Sequence, residues 1–352
     1  MRGDVQGAAA PSMGFWRCWA MTVGIMVGSG IFLMPAVLAP YGTLSILGWS
    51  LTGGGTILLA LIMGHLARRT PRIGGPYAYV HEAFGDLPGF LVAWGYWLNI
   101  VIAIPAVAFA FAGYLGVLLP AIDQSPVLHA TAAIGVIWIF TLINVLGVSA
   151  ASLAQLIMTI LKLIPLLVVI ALAIAVGQPE NVPAFNPEGG SFISALAATA
   201  LLTMWAYAGF DAATVPAGDV IDPKRTIPRA VVIGTITVAV IYIASTVAVM
   251  YLVPSSVLVE STSPFADAAL ALGSGGPTFI AIGALIATAG ALNGNILLTG
   301  QVPLAVALDG LAPSWFSRRG QHGAPHDALL LSATLGTVLV LFNYAGGLVA
   351  AF

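Results

Sequence analysis

Val23-Gly24-Ile25-Met26-Val27-Gly28-Ser29-Gly30-Ile31-Phe32 lies inside an apolar stretch, Trp19–Ala39, and places three glycines and a serine within seven residues. A helix in hydrocarbon is held continuous because lipid offers its backbone no hydrogen-bond partner, and each interior glycine weakens it by about 1 kcal/mol. Unwound backbone is tolerated at that depth only against protein or a water-filled cavity. A break at Gly28-Ser29-Gly30 would therefore present free amides at the start of the half-helix that follows, an arrangement suited to a carboxylate.

A second weak point follows at Trp205-Ala206-Tyr207-Ala208-Gly209-Phe210-Asp211, with Pro216 just beyond. The two lie about 180 residues apart, near half the chain, which is the spacing expected of an inverted repeat whose broken helices meet at the membrane midplane. Each glycine taken alone reads equally as a small-residue packing seam between helices. Their paired placement favours a binding site.

The surrounding chain is membrane-like throughout. Of 352 residues, 59% are hydrophobic and 7% charged, against roughly 25% charged in soluble domains, so a water-soluble surface cannot be assembled. Nine stretches have the roughly 20 apolar residues that a bilayer crossing needs: Trp19–Ala39, Ile46–Leu66, Phe90–Leu119, Ala130–Val148, Leu153–Val176, Phe192–Val215, Ala230–Val253, Phe279–Leu308 and Ala328–Ala350. The short polar segments between them leave no room for a soluble domain, and the chain reads as one transmembrane domain over residues 1–352. The many spans after Arg2 and Arg17 argue for a first span at Trp19 and against a cleaved signal.

Ten of the eleven Lys and Arg residues fall on one side of nine spans: Arg2, Arg17, Arg68, Arg69, Arg72, Lys224, Arg225, Arg229, Arg318 and Arg319. The opposite loops carry Asp123, Glu180, Glu188, Glu260 and Asp267. The basic side, with the N-terminus, is expected to be cytoplasmic. The exceptions are Lys162 in span 5 and the acid Asp211 in span 6, and charges within a span face a cavity or a partner and are functional candidates by default.

Composition also excludes. A net charge of −2 gives no nucleic-acid footprint, and no basic tail points to anionic lipid. The lone Cys18 allows neither an intramolecular disulfide nor a cysteine metal cluster, and His322 and His326, four apart, are separated by Gly323 and Pro325 in a loop; no metal and no cofactor is expected. No Gly-x-Ser-x-Gly elbow marks a hydrolase and no carbonyl filter a channel, so an enzyme is not expected.

At these residues the chain resembles the amino acid-polyamine-organocation superfamily of transporters, and within it the basic amino acid/polyamine antiporter branch that includes the arginine:agmatine exchangers. The pieces that carry the resemblance are Gly28-Ser29-Gly30-Ile31-Phe32 with Pro35, Pro71-Arg72-Ile73-Gly74-Gly75-Pro76-Tyr77-Ala78-Tyr79 with Phe84-Gly85, and Tyr96-Trp97. Trp205 to Asp211, the run Asp222-Pro223-Lys224-Arg225-Thr226-Ile227-Pro228-Arg229-Ala230, Ser263 to Ala268, Gly300-Gln301 and Asp309-Gly310 complete it. It covers essentially the whole chain.

The resemblance implies the leucine-transporter-type inverted-repeat fold, all-α and membrane-embedded, working by alternating access in the plasma membrane, in bacteria the inner one. The first repeat would run from about residue 17 to 177 and the second from about 190 to 352. By the same resemblance the carboxylate of a bound amino acid lies on the amides of Ser29 and Gly30, and its ammonium on the carbonyls of Met26, Trp205 and Ala208. Tyr96 and Trp205 close over it, and Ile100, Ile104 and Asn295 line its side-chain pocket.

Two departures refine this. Ile104, Ala206 and Asn295 stand where the arginine exchangers hold a guanidinium, and only Asp211 could neutralise a cation. A mostly apolar pocket does not offset the desolvation of a guanidinium, so a neutral or hydrophobic amino acid is expected over arginine. Relatives also have twelve spans, so the chain is read as a truncated carrier with an incomplete second repeat. The last two spans form the dimer interface in relatives, and their absence favours a monomer over a homodimer.

In proton-coupled relatives a lysine at the place of Lys162 puts its ammonium where sodium sits in sodium-coupled cousins, which implies proton-linked, sodium-independent transport. The competing reading is that Lys162 snorkels to an interface. Asp211 reads equally as a proton-responsive group or as an acid that hydrogen-bonds the broken backbone. The expectation is a permease or antiporter for amino acids or amines; the alternatives are an amino-acid-binding membrane sensor that does not cycle and a truncated carrier without function.

Overall fold

The structure, a computed structural model, describes residues 10–187, 189–320 and 322–346. Arg2, Glu188 and residues 347–350 of the expected ninth span lie outside the described residues.

The described chain is helical. In order it forms α1 (Phe15–Met26), α2 (Met34–Leu38), α3 (Leu44–Arg69), α4 (Pro76–Phe84), α5 (Asp86–Leu118), α6 (Pro120–Asp123), α7 (Pro126–Val145) and α8 (Val148–Val176). There follow α9 (Phe192–Met204), α10 (Pro223–Leu252), α11 (Ser255–Glu260), α12 (Pro264–Ala269), α13 (Gly276–Leu308) and α14 (His326–Gly346). Among the described residues only isolated bridges, Met13 with Val220 and Gly42 with Phe185, show β-type pairing.

Among the described residues, seven segments are long and apolar enough to cross a bilayer: α3, α5, α7, α8, α10, α13 and the run Phe192–Thr214 that begins with α9. They coincide with seven of the nine expected spans. The first expected span is divided instead, α1 and α2 flanking irregular backbone from Val27 to Leu33, and the ninth is followed only through α14.

Helix limits differ from the hydropathy reading where proline and glycine act. Pro126 and Pro223 occupy the first turns of α7 and α10, where the missing N–H costs nothing, so both helices start several residues before the apolar runs. The fourth span ends at Val145 and not at Val148 because Gly147 turns the chain at a φ of +110°, a conformation a side chain would resist. Val148 thus begins the next helix instead of ending this one.

The bundle is apolar inside and over much of its surface, with a limited set of polar groups buried between the helices. On α8, Leu153, Ile157, Ile160, Ile164 and Leu167 form an exposed apolar stripe at helical spacing, while Gln155, Thr159, Lys162 and Leu166 are buried on the other face. Such a stripe suits contact with lipid. Helix α13 stands at the centre, buried over 78% of its most apolar window against 22% for α3, and packs on α1, α5, α7, α8 and α14.

Buried polar groups tie the centre together. Asn293 on α13 donates to Gln155 Oε1 (2.7 Å) and accepts from Asn144 on α7 (3.1 Å), while Thr159 donates to the Ala20 carbonyl of α1 (3.2 Å). Gly24 faces Gln155 and Thr159 so closely that a Cβ would overlap both, which fixes how near α1 lies to α8.

One end of the bundle gathers basic residues from distant segments. Arg72 and Tyr77 both donate to Asp309 after α13, and Arg319 lies 3.6 Å from Asp219, whose carbonyl accepts from Ser12 and Met13. Burial holds the Tyr77 hydroxyl and the Asp219 carboxyl above their ordinary pKa ranges; for Asp219 the neighbouring Arg319 opposes that shift.

Candidate functional site

Breaking α1 leaves backbone groups that a continuous helix would pair. The amide of Gly28, which would otherwise reach Gly24, turns back to the Met26 carbonyl at 2.9 Å. Gly24 and Val27 then offer carbonyls at the negative end of α1, and the Lys162 ammonium takes both, at 2.5 and 2.8 Å, with the Ala287 carbonyl at 3.5 Å. A cation at a helix C-terminus is favoured by the aligned peptide dipoles as well as by its bonds. Lys162 is fully buried, which rules out its snorkelling to an interface.

On the other side of the break, the amides of Ser29, Gly30 and Ile31 donate to no backbone carbonyl among the described residues. They open the short 3-10 turn Gly30–Phe32.

The second break has matching irregularity. After α9 the chain makes a 3-10 turn, Trp205–Tyr207, and extends at Ala208. It then passes through Gly209 at a φ of +94°, and a Cβ on Gly209 would overlap Ile25 of α1. Glycine is thus required twice over, by conformation and by the contact between the two breaks. The Trp205 carbonyl accepts from Ala208 at 3.0 Å, while nothing among the described residues donates to the Ala208 carbonyl.

Tyr242 of α10 ties the breaks to each other. Its hydroxyl lies 2.6 Å from the Met26 carbonyl and 3.1 Å from that of Ala206, one donor shared between two interrupted helices. The ring is fixed by Trp49 and Tyr207, at centroid distances of 5.0 and 5.5 Å.

A cavity of about 200 Å³ opens between the breaks. Met26, Gly28, Ser29, Gly30, Tyr96, Ile100, Trp205, Ala206, Ala208, Gly209, Asp211 and Asn295, all expected at the site, line it. A Cβ on Gly30 would sit 3.4 Å from the Trp205 indole, so an edge of that ring reaches the first break. The Tyr96 hydroxyl lies beside the Asp211 carboxyl, which is only 7% exposed.

One residue expected to line the pocket lies elsewhere. Ile104 is fully buried in a separate apolar cluster with Ile137, Leu292 and Ile296, which corrects its expected place in the pocket. The face of α5 toward the cavity is centred on Tyr96, Ile100, Ala103 and Val107, and Ile104 falls past its edge. Lys162 does not line the cavity; it supports the first break from behind.

Asn99, Ala103, Val107, Tyr242, Ala291 and Leu298 also line the cavity and were not anticipated. The helical spacing from Tyr96 could have found Asn99 and Ala103. Tyr242 carries no such signal, being an aromatic in an apolar run.

The sequence profile of the amino acid permease family matches residues 13–352. Among characterised proteins, the chain is 33% identical over 354 residues to the cadaverine/lysine antiporter of Escherichia coli, covering 97% of this chain and 78% of that protein. It is 31% identical over 348 residues to the putrescine transporter PotE of Escherichia coli, covering 98% and 79%. It is likewise 31% identical over 359 residues to a putative arginine/ornithine antiporter of Bacillus subtilis, covering 93% and 76%. With a fold of membrane-crossing helices and two broken segments around a central cavity, the chain belongs to the amino acid permease family, in the amino acid/polyamine antiporter branch of its superfamily, and is an integral membrane transporter rather than an enzyme.

Proposed function

We propose that the protein exchanges amino acids across the plasma membrane by alternating access, with the basic end of the bundle and the N-terminus in the cytoplasm. The observation that carries this is the cavity bounded on one side by the unpaired amides of Ser29 and Gly30 and on the other by the unpaired carbonyl of Ala208. An α-amino acid has a carboxylate and an ammonium a short distance apart, and this pair of breaks offers donors to one and an acceptor to the other.

In this reading the ammonium rests on the Ala208 and Trp205 carbonyls. The Met26 carbonyl already accepts from Gly28 and Tyr242, so its part is to hold the break in shape. Tyr96 and Trp205 cover the substrate, and Ile100, Ala103, Val107 and Leu298 receive its side chain. That apolar wall favours a neutral or hydrophobic side chain, because a buried cation without partners is costly. Lys162 and Asp211 are the proton-linked groups, sodium plays no part, and the two repeats run from about residue 17 to 177 and from about 190 onward.

A second reading, a cationic amino acid or a diamine, rests on one observation: Asp211 is the one acid among the residues that line the cavity. Proteins similar to this chain are described as handling cadaverine, lysine and putrescine. Counterflow in proteoliposomes separates the two. Liposomes preloaded with unlabelled leucine should accumulate labelled leucine, with isoleucine and methionine competing and lysine, ornithine and cadaverine not. Accumulation driven by the cationic compounds alone would replace the first reading by the second.

A further inference from the structure

We propose that the protein holds an anionic phospholipid of the leaflet on its basic face, in a cleft between the end of α3 and the start of α10. The cleft comprises two adjoining hollows of about 390 and 400 Å³ that share Arg68 and Arg229. Lys224 and Arg225 complete the charged part. Leu61 and Ile233, both exposed, continue it along the helices as an apolar track toward the membrane interior.

Four cations thus converge from two segments more than a hundred residues apart, and among the described residues only Arg225 has a carboxylate partner, Asp222 at 3.8 Å. Basic residues on this face are expected of any membrane protein, since they set orientation. Orientation alone does not require them to meet in one cleft.

Their placement is otherwise unfavourable. Lys224 and Arg225 stand in the first turn of α10, where the helix dipole is positive; the N-cap acid Asp222 lies near Arg225 and leaves Lys224 without a carboxylate among the described residues. Cations are disfavoured there and an anion is favoured. The helices close tightly beneath, a Cβ on Gly64 falling 3.2 Å from Pro228, so the cleft has a floor and the charges stay at its mouth. A phosphate at the level of the arginines with acyl chains along Leu61 and Ile233 satisfies both halves, the arrangement by which basic pockets between transmembrane helices hold lipid headgroups. Charge complementarity and the apolar continuation together commit the site to a lipid and not to a soluble anion.

The test is a titration of the purified full chain in mixed micelles with phosphatidylglycerol, phosphatidylcholine, or glycerol phosphate as a headgroup without chains. Readouts are the thermal unfolding midpoint and the phosphatidylglycerol that copurifies, measured by mass spectrometry. Phosphatidylglycerol should raise the midpoint and be retained, whereas the other two should do neither. Each cation removed should weaken retention about fivefold, so Arg68→Gln with Arg229→Gln should lose it about 25-fold. Lys224→Gln, at an exposed position, gives the single-step loss if the double variant does not fold, and Arg318→Gln, in another loop, should titrate as the unaltered protein. Equal effects of the two lipids, or unchanged retention in Lys224→Gln, would overturn the proposal. Stabilisation by glycerol phosphate alone would replace the lipid with a soluble anion.

Discussion

Lys162 of α8 donates to the Val27 carbonyl of the first broken helix at 2.8 Å, so a cation inside a membrane span serves as the cap of the interrupted α1. The bond lies on the far side of the break from the cavity wall formed by Gly28 to Ile31. Any change in the charge of Lys162 therefore acts on the cavity wall through the backbone that both share.

Replacing Lys162 tests this. Lys162→Ala leaves the Gly24 and Val27 carbonyls buried and unpaired, at a cost of about 1–3 kcal/mol for each orphaned group. The variant should unfold at lower temperature, and uptake into proteoliposomes should lose its dependence on a pH gradient. Retained pH dependence would remove Lys162 from coupling while leaving its capping role intact.

Tyr242→Phe keeps the ring packed on Trp49 and deletes only the hydroxyl shared by the Met26 and Ala206 carbonyls. The Ala206 carbonyl then loses its donor, at a cost of about 1–3 kcal/mol, so the unfolding midpoint should fall and KM for exchange should rise about fivefold. An unaltered KM would show that the register of the two breaks is set elsewhere.

Gly209→Ala meets two obstacles, the positive φ and Ile25. The left-handed backbone costs a residue with a side chain about 1–2 kcal/mol, and the Ile25 overlap adds to it. Combining it with Ile25→Ala should restore part of the stability, because only the overlap is relieved, so the double variant should fall short of additivity. Thermal unfolding of the four proteins measures the cycle, and strict additivity would mean that the breaks do not touch at this point.

At the basic end, the Asp219 carboxyl is raised by burial and lowered by Arg319. A carboxyl whose folded pKa lies above its unfolded one contributes stability that is fully present below the ordinary carboxylate range and is lost as pH climbs through the folded value. Arg319→Gln removes the opposing charge and widens that window upward, and every further tenfold weakening of the acid costs about 1.4 kcal/mol at neutral pH. Its unfolding midpoint should therefore drop more at pH 7 than at pH 5 relative to the unaltered protein. A drop of equal size at both would contradict the coupling of Asp219 to Arg319.

Much of this was legible in the chain because it depends on residue types that act locally. Gly28-Ser29-Gly30 and Gly209 announce breaks since lipid penalises them elsewhere, and Lys162 and Asp211 stand out as charges in apolar runs. What was not legible depends on facing and on backbone atoms. Ile104, four residues after Ile100, shares its face by simple helical spacing, but the cavity is centred on the Tyr96–Val107 side of α5. Lys162 was visible, yet its partners are carbonyls, which no side-chain pattern reveals. Tyr242 and the meeting of Arg68 with Arg229 arise from the pairing of α10 with α3 and α1, which hydropathy does not encode.

The carboxylate cradle at Ser29 and Gly30 is the claim on which the functional reading rests. The unfolding midpoint of the purified chain, measured with leucine and with isopentylamine, the same molecule without its carboxylate, tests it most directly, since a ligand that binds the native state raises apparent stability by mass action. Leucine should raise the midpoint in a concentration-dependent way and isopentylamine should leave it unmoved. Equal stabilisation by the amine would show that the carboxylate is not what the broken first helix receives.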